Sequence, residues 1–448
     1  MQISSVKEIL EGKISALSPT TIRGWVKFNR LSGKIGFIEL NDGSSLNNIQ
    51  VVYKKVSTKG FEESSKLRTG SSILVNGKVN TNKDSFEVLA EEIIVLKDSA
   101  EDYPLQKKEH SMEFLRDIAH LRGRTQTMTS IMTVRSKLAF AIHKFFNENG
   151  FKWISTPIIT SNDAEGAGEN FVIEQSKEEP FFNKEAKLTV SGQLNAEAYS
   201  QAFQKVYTFG PTFRAERSHT NRHLAEFWMI EPEIAFIDLT QLMAIIEAFI
   251  KSIINYICIN CKDEINFFIK QKPFLSERID TLLKKNFIRL EYKEAIEILK
   301  KAAQDKIFED NDIFFGKDIA SEHEKYLCEQ VYKAPIFLYN FPKEIKAFYM
   351  KVNSDNKTVA ATDLLVPGVG EIVGGSQRED DYNKLLNRTK ELNMDISSIQ
   401  WYLDLRKYGY SLGAGFGLGF ERLIMYILGL DNIRDTIPFP RYNGKLNF

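Results

Sequence analysis

Cysteine is scarce in this 448-residue chain. Cys258, Cys261 and Cys328 are too few for a disulfide framework, and their rarity points to a reducing compartment. Cys258 and Cys261 are spaced C-x-x-C, but no second pair follows at zinc-ribbon spacing. The run Ile253-Ile254-Asn255-Tyr256-Ile257 before them makes buried small side chains the expected role. An excess of charge is missing too: 59 Lys and Arg face 59 Asp and Glu. That balance neither announces nor excludes a nucleic-acid partner, because a binding patch is local. The N-terminal MQISSVKEILEGK lacks a signal-type apolar core, and no run reaches the roughly 18 apolar residues of a membrane span. A cytoplasmic chain with no membrane association is expected. G-x-x-x-x-G-K-[ST] is absent, which excludes a P-loop. The run Gly413 to Gly419 does not fit G-x-G-x-x-G after a strand with an acidic residue about twenty further on, which excludes a Rossmann site.

What is present suits two or three globular domains: 43% hydrophobic and 26% charged residues over 51.4 kDa. The first hundred residues alternate like short strands, at Thr21 to Phe28, Lys34 to Leu40, Ile49 to Tyr53, Ser72 to Val79 and Phe86 to Leu96, with Asn41-Asp42-Gly43 as turn chemistry. Five such strands suit a small closed barrel, for which the oligonucleotide-binding fold is one candidate. Between Thr21 and Gly60 there are seven Lys/Arg against two Asp/Glu. A basic strand face carrying Phe28, Phe37 and Tyr53 suits single-stranded nucleic acid, while an ordinary barrel would bury its aromatics. Residues 1–100 are expected to form this domain and 101–127 a hinge. From residue 128 to 448 an α+β domain with a largely antiparallel sheet is expected, interrupted by a mostly helical insertion over about 240–335. Its first helix carries Ile131, Val134, Leu138, Ile142 and Phe145 and closes at Asn149-Gly150. Phe151 to Pro157 then runs extended. Strand character recurs at Leu188 to Val190, Val206 to Phe209, Trp228 to Ile234, Ala347 to Val352 and Thr358 to Leu365.

Three clusters carry chemistry. Phe213-Arg214-Ala215-Glu216, the loop Arg217 to His223 and Glu226 to Glu231 predict a hairpin with a cationic tip that can grip an anion. An ordinary surface ion pair between Arg214 and Glu216 is the other reading. In Asp363 to Arg378, carboxylates interrupt an apolar strand pair, a costly placement unless they bind something such as Mg²⁺ with nucleotide phosphates. In Gly413 to Arg422, alternating glycines let backbone approach a flat ligand, and Arg422 can clamp a phosphate.

In this order, behind the segment ending in Pro157, the three clusters resemble the class II aminoacyl-tRNA synthetases. Pro157 fits the motif 1 proline, Arg214-x-Glu216 fits motif 2, and the glycine run ending in Arg422 fits motif 3. The basic barrel in front resembles the anticodon domain of the subgroup for aspartate, asparagine and lysine. There Phe37 would stack on the central uridine of the anticodon, Gln50 would hydrogen-bond to it, and Arg30 would contact the anticodon. Within the subgroup the chain looks like the asparaginyl enzymes, on Leu188-Thr189-Val190-Ser191-Gly192-Gln193-Leu194, on Gly374 to Arg378 and on Ile437-Pro438-Phe439-Pro440-Arg441. The tail from Tyr442 to Phe448 keeps the glycine and terminal Phe but departs from the common form between them.

The resemblance implies an ATP- and Mg²⁺-dependent ligase that activates L-asparagine and charges tRNA(Asn), as a homodimer through the Ile131 to Asn149 helix and the strand leading to Pro157. It implies that Arg214 binds the α-phosphate and Glu216 contacts adenine, with Phe227 stacked below the base and Arg422 above it. Arg222 and His223 would meet the outer phosphates, and Asp363 and Glu371 would hold Mg²⁺. Glu165 would meet the substrate ammonium and Gln193 its carboxylate, with Ser191 beside them. Arg378 would bind the side-chain oxygen. Aspartate enzymes carry a lysine where Ala196 stands here, and an aspartate where Glu231 stands. Glu231 is therefore expected to accept from the carboxamide, unless it merely pairs with Arg378; Glu197 is the other carboxylate near the missing lysine. An aspartyl or dual-specificity enzyme, a tRNA-independent asparagine-forming relative, and an RNA-binding module with an inactive catalytic domain are the alternatives.

Overall fold

The computed structural model describes residues 3–82, 85–161, 170–173, 181–182, 184–218 and 220–448. It divides into two compact units, Met1–Ser130 and Ile131–Phe448.

The first unit is a closed five-stranded barrel of β1 (Pro19–Ser32), β2 (Ile35–Asn41), β3 (Ile49–Lys54), β4 (Ser72–Asn82) and β5 (Ser85–Lys97), in the order β1-β2-β3-β5-β4. Alternation sends Val26, Ile38, Leu40, Val51, Ile73 and Val75 into one core, which the Val6–Leu10 helix caps with Val6 and Ile9. Tyr53 corrects the sequence expectation. It is a core residue rather than part of a stacking face: its ring lies over Gly36, where a Cβ would come within 1.9 Å, and its hydroxyl donates to Asn29 Oδ1 at 3.0 Å. The expected hinge contains two short helices, Met112–Asp117 and Ala119–Arg122, the first capped by Ser111.

The second unit is built on an eight-stranded sheet. Its strands are β6 (Lys152–Trp153), β9 (Lys205–Phe213), β10 (Glu226–Ala235), β11 (Ile288–Glu291), β12 (Ile336–Pro342), β13 (Thr358–Val366), β14 (Gly370–Gln377) and β15 (Gly413–Gly419); β7 (Ile159–Thr160) and β8 (Lys187–Leu188) pair separately. The order is β11-β12-β13-β14-β15-β10-β9-β6, antiparallel except for the parallel edge pairs β11/β12 and β6/β9. The Gln126–Glu148 helix buries Ile131, Val134, Leu138 and Ile142 and ends before Gly150, whose φ of 80° is the left-handed conformation that stops a helix.

The Leu239–Asn260 helix corrects another expectation. Its 22 residues, with a hydropathy of 1.8, are long and apolar enough to cross a membrane. Here its apolar stripe, from Leu242 through Ile246, Phe249 and Ile253 to Ile257, is buried, with the Phe249 ring 5.9 Å from that of Phe416 on β15.

Ala347 to Val352 is not a strand. After Pro342 the chain makes a 3₁₀ turn at Lys343–Ile345 and then pairs with neighbouring backbone through the isolated bridges Met350↔Arg378 and Val352↔Val359 rather than as a ladder strand. Its apolar residues serve a buried turn instead, with Phe348 packed on Tyr402. The helical insertion also supplies β11 to the sheet edge, which its Lys/Glu-rich sequence hid.

An ion pair ties the Gln126–Glu148 helix to the helix Phe420–Leu428 that follows the last strand of the sheet. Arg135 Nη1 lies 2.8 Å from Glu421 Oε1, and Glu421 Oε2 accepts from the Trp228 amide at 3.0 Å.

Candidate active site

Strands β9, β10, β13, β14 and β15 carry the three clusters onto one sheet. The β9/β10 hairpin pairs Glu226 with Phe213 and Phe227 with Thr212, which brings Arg214 back over Phe227. The guanidinium carbon lies 5.5 Å from the ring centroid, a cation–π contact. Glu216 is exposed at the start of the loop. His223 Nδ1 faces Ser218 Oγ at 2.9 Å and Thr220 Oγ1 at 2.5 Å, while Arg222 donates to Ser321 Oγ at 2.9 Å. Burial, then the Arg422 charge, holds the His223 imidazole below its ordinary range.

On β13 and β14, Asp363 pairs with Gly374, and Leu365 with Glu371. A Cβ placed on Gly374 would lie 3.1 Å from Glu371 Oε1 and 3.5 Å from Asp363 Oδ1, so both carboxylates border that one position. Arg422 reaches the same place from the helix Phe420–Leu428, with Nη1 3.6 Å from Glu371 Oε2. Two further residues, missed in the sequence, complete this end. Lys346 donates to Asp363 Oδ2 at 2.6 Å, and Glu324 Oε2 accepts from the Glu371 amide at 3.3 Å. Burial and then Glu371 push the Glu324 carboxyl up to about 7; burial, opposed by Lys346, brings Asp363 to about 6. Among the described residues no three carboxylates, imidazoles or thiols converge tightly enough to hold a metal by themselves. The donor set does suit Mg²⁺, which takes one or two carboxylates and completes its shell with phosphate oxygens and water.

The other end of the site lies around the Gln193–Phe203 helix. Gln193 Nε2 is buried without a hydrogen-bond partner among the described residues, although its backbone N–H donates to Ser191 Oγ at 3.1 Å. Such a stranded donor is costly unless a ligand uses it. Glu231 accepts from the Ser191 hydroxyl, and from the Gly192 N–H at 3.0 Å. Arg378 does not hydrogen-bond to Glu231. It pairs with Glu233 instead, through Nε at 3.0 Å and a second, shorter bond from Nη2, and Nη1 donates to Ser376 Oγ at 2.6 Å. The pair Glu231 and Glu233 was legible in principle: residues i and i+2 of a strand share a face. Glu165 lies outside the described residues.

In the barrel unit, Arg30 and Phe37 are direct partners across β1 and β2, with the guanidinium 5.2 Å from the ring. Gln50 stands opposite Glu39 and donates to Glu87 at 3.0 Å. The aromatic ring, the cation and the amide therefore share an outward face.

Residues 111–443 match the family of class II tRNA synthetases for D, K and N, and residues 20–96 match the OB-fold nucleic acid binding domain. The chain is similar to the asparagine–tRNA ligase of Malacoplasma penetrans, 55% identical over 454 residues, and to that of Mycoplasmoides gallisepticum, 52% identical over 456 residues; both alignments cover 100% of each chain. The fold also resembles the crystal structure of asparaginyl-tRNA synthetase from Pyrococcus horikoshii complexed with asparaginyl-adenylate. That match has a TM-score of 0.90 and 35% identity, and covers 100% of this chain and 99% of that one.

Proposed function

The chain belongs to the class II tRNA synthetases and, within them, to the asparagine–tRNA ligases, and from that premise we propose how its residues perform the two steps. The asparagine carboxylate attacks the α-phosphorus of ATP, giving asparaginyl-adenylate and pyrophosphate. A terminal ribose hydroxyl of tRNA(Asn) then takes the aminoacyl group and releases AMP. The substrates supply both nucleophiles, so the protein contributes alignment and charge neutralisation.

Arg214 binds the α-phosphate, Glu216 contacts adenine, and the base lies between Phe227 and Arg422. Arg222 and His223 meet the outer phosphates. Asp363 and Glu371 would hold Mg²⁺, which supplies charge neutralisation at phosphate oxygens. The stranded Gln193 amide carries the amino-acid half of the reading: it is a buried donor positioned to take a carboxylate oxygen. Ser191 fixes Glu231 beside it, Glu165 meets the ammonium, and Arg378 takes the side-chain oxygen. Glu231 retains acceptor capacity on its oxygens, enough to receive the carboxamide NH₂ and to repel an aspartate carboxylate.

The outward face of Arg30, Phe37 and Gln50 binds the anticodon. Exposed Phe140 on the first helix of the second unit and exposed Trp153 on the segment leading to Pro157 support a homodimer through those elements. A cytoplasmic location accords with the three free cysteines.

ATP–pyrophosphate exchange driven by asparagine, run beside aspartate on the full chain and on Glu231→Gln, tests this reading. The unaltered chain responds to asparagine. The variant loses asparagine activity and its preference over aspartate narrows. An unchanged ratio of kcat/KM removes Glu231 from selection.

A further inference from the structure

Arg378 is surrounded by more negative charge than an ion pair requires. Glu233 engages it twice, and Glu197 Oε2 stands 3.9 Å from its Nε. Both carboxylates and the guanidinium are about 1–2% exposed. Glu197 is itself immobilised: Oε1 accepts from Arg406 Nη2 and the Tyr410 hydroxyl, each at 2.6 Å, and Oε2 accepts from the Tyr402 hydroxyl at 2.6 Å. A carboxylate with three short hydrogen bonds from fixed donors is held in place.

This clamp joins elements far apart in sequence. Glu197 lies one turn into the Gln193–Phe203 helix that also presents Gln193, whereas Tyr402, Arg406 and Tyr410 follow Arg378 by 24 to 32 residues. A guanidinium has five N–H donors. Glu233 and Ser376 leave one N–H on each terminal nitrogen of Arg378, enough for a neutral carbonyl oxygen. What would favour an anionic side chain there is uncancelled positive charge. The three carboxylates Glu197, Glu231 and Glu233 offset Arg378, Arg406 and the Arg214 charge that acts on Glu231, so that losing one carboxylate leaves positive charge uncancelled.

We propose that Glu197 is a positioning and charge-setting residue for asparagine selection: clamped by Tyr402, Arg406 and Tyr410, it fixes Arg378 and removes the positive charge that would admit aspartate. This rests on the reading that Arg378 contacts the substrate side chain.

The test is ATP–pyrophosphate exchange with asparagine and with aspartate, on the full chain and on Glu197→Gln, Tyr410→Phe and Arg378→Met. Glu197→Gln keeps the shape and deletes the charge. Its asparagine-to-aspartate ratio of kcat/KM should fall by about tenfold, through a raised KM for asparagine and a gain with aspartate. Tyr410→Phe keeps the charge and loosens the clamp, so the KM for asparagine rises while kcat holds. Equal losses with both amino acids in Glu197→Gln would show a merely structural residue and overturn the proposal. Should that variant fail to fold, an unchanged asparagine KM in Tyr410→Phe overturns it equally. Arg378→Met separates the two layers: if it keeps a normal asparagine KM, the underlying assignment of Arg378 is what failed.

Discussion

Lys346 holds Asp363, its Nζ 2.6 Å from Oδ2, so one of the two carboxylates proposed for Mg²⁺ already carries a protein cation. The lysine is itself half-buried, with its Nζ 3.9 Å from the Phe341 ring centroid. Its charge opposes the burial that brings Asp363 up to about 6. Lys346→Met removes that opposition, so Asp363 keeps its proton to higher pH and is less available to a metal at neutrality. Exchange at pH 7 should then need more Mg²⁺ for half-maximal rate, with recovery near pH 8.5. An unchanged Mg²⁺ requirement would show that Asp363 does not serve the metal.

Arg135 and Glu421 form an ion pair that the sequence does not announce, because their positions are 286 residues apart. Arg135→Met would strand Glu421 and the Trp228 amide network. A loss of about 3–5 kcal/mol in unfolding free energy of the second unit is expected, measured by denaturant titration. A loss below about 1 kcal/mol would mean that water replaces the arginine.

Sequence pattern made the barrel and the hairpin legible for physical reasons. Strand alternation at Ile38, Leu40, Val51 and Ile73 carries the inward face directly, and Arg214, Phe227, Glu371 and Arg422 sit at positions where turns and glycines constrain the backbone. Tyr53 was misplaced because the same period-2 pattern does not say which face closes inward; Gly36 beneath it decides that. Ala347 to Val352 has the composition of a strand, but the turn at Lys343–Ile345 displaces it from the ladder. Lys346, Glu324 and the Glu197 clamp were hidden because each acts on a partner distant in sequence.

His223 supplies a pH signature. Its imidazole lies below the ordinary 6.5, first through burial and then through Arg422. The folded chain therefore resists protonation, and the stability this group contributes is present above pH 6.5 and lost as pH falls below it. Anionic phosphates beside the ring would reverse the shift, so ATP binding should take up a proton and tighten from pH 7 toward pH 6. Imidazole NMR titration with and without ATP measures this, and His223→Gln should flatten the pH dependence relative to the unaltered chain. An imidazole that ignores ATP does not meet its phosphates.

Phe37→Ala removes a stacking platform worth on the order of 1–3 kcal/mol per base. Charging of tRNA should weaken, while asparagine-dependent pyrophosphate exchange stays near its original rate. Equal loss in both assays would make Phe37 a structural residue of the barrel.

The most direct measurement is asparagine-dependent ATP–pyrophosphate exchange by Arg422→Ala, made on protein whose fold is verified by circular dichroism and whose tRNA binding is measured in parallel. Arg422 approaches Glu371 from the end of the glycine-rich strand, where it is proposed to cover adenine and meet phosphate. The expected result is loss of exchange with tRNA binding intact. Normal exchange by the folded variant would contradict the placement of ATP between Phe227 and Arg422.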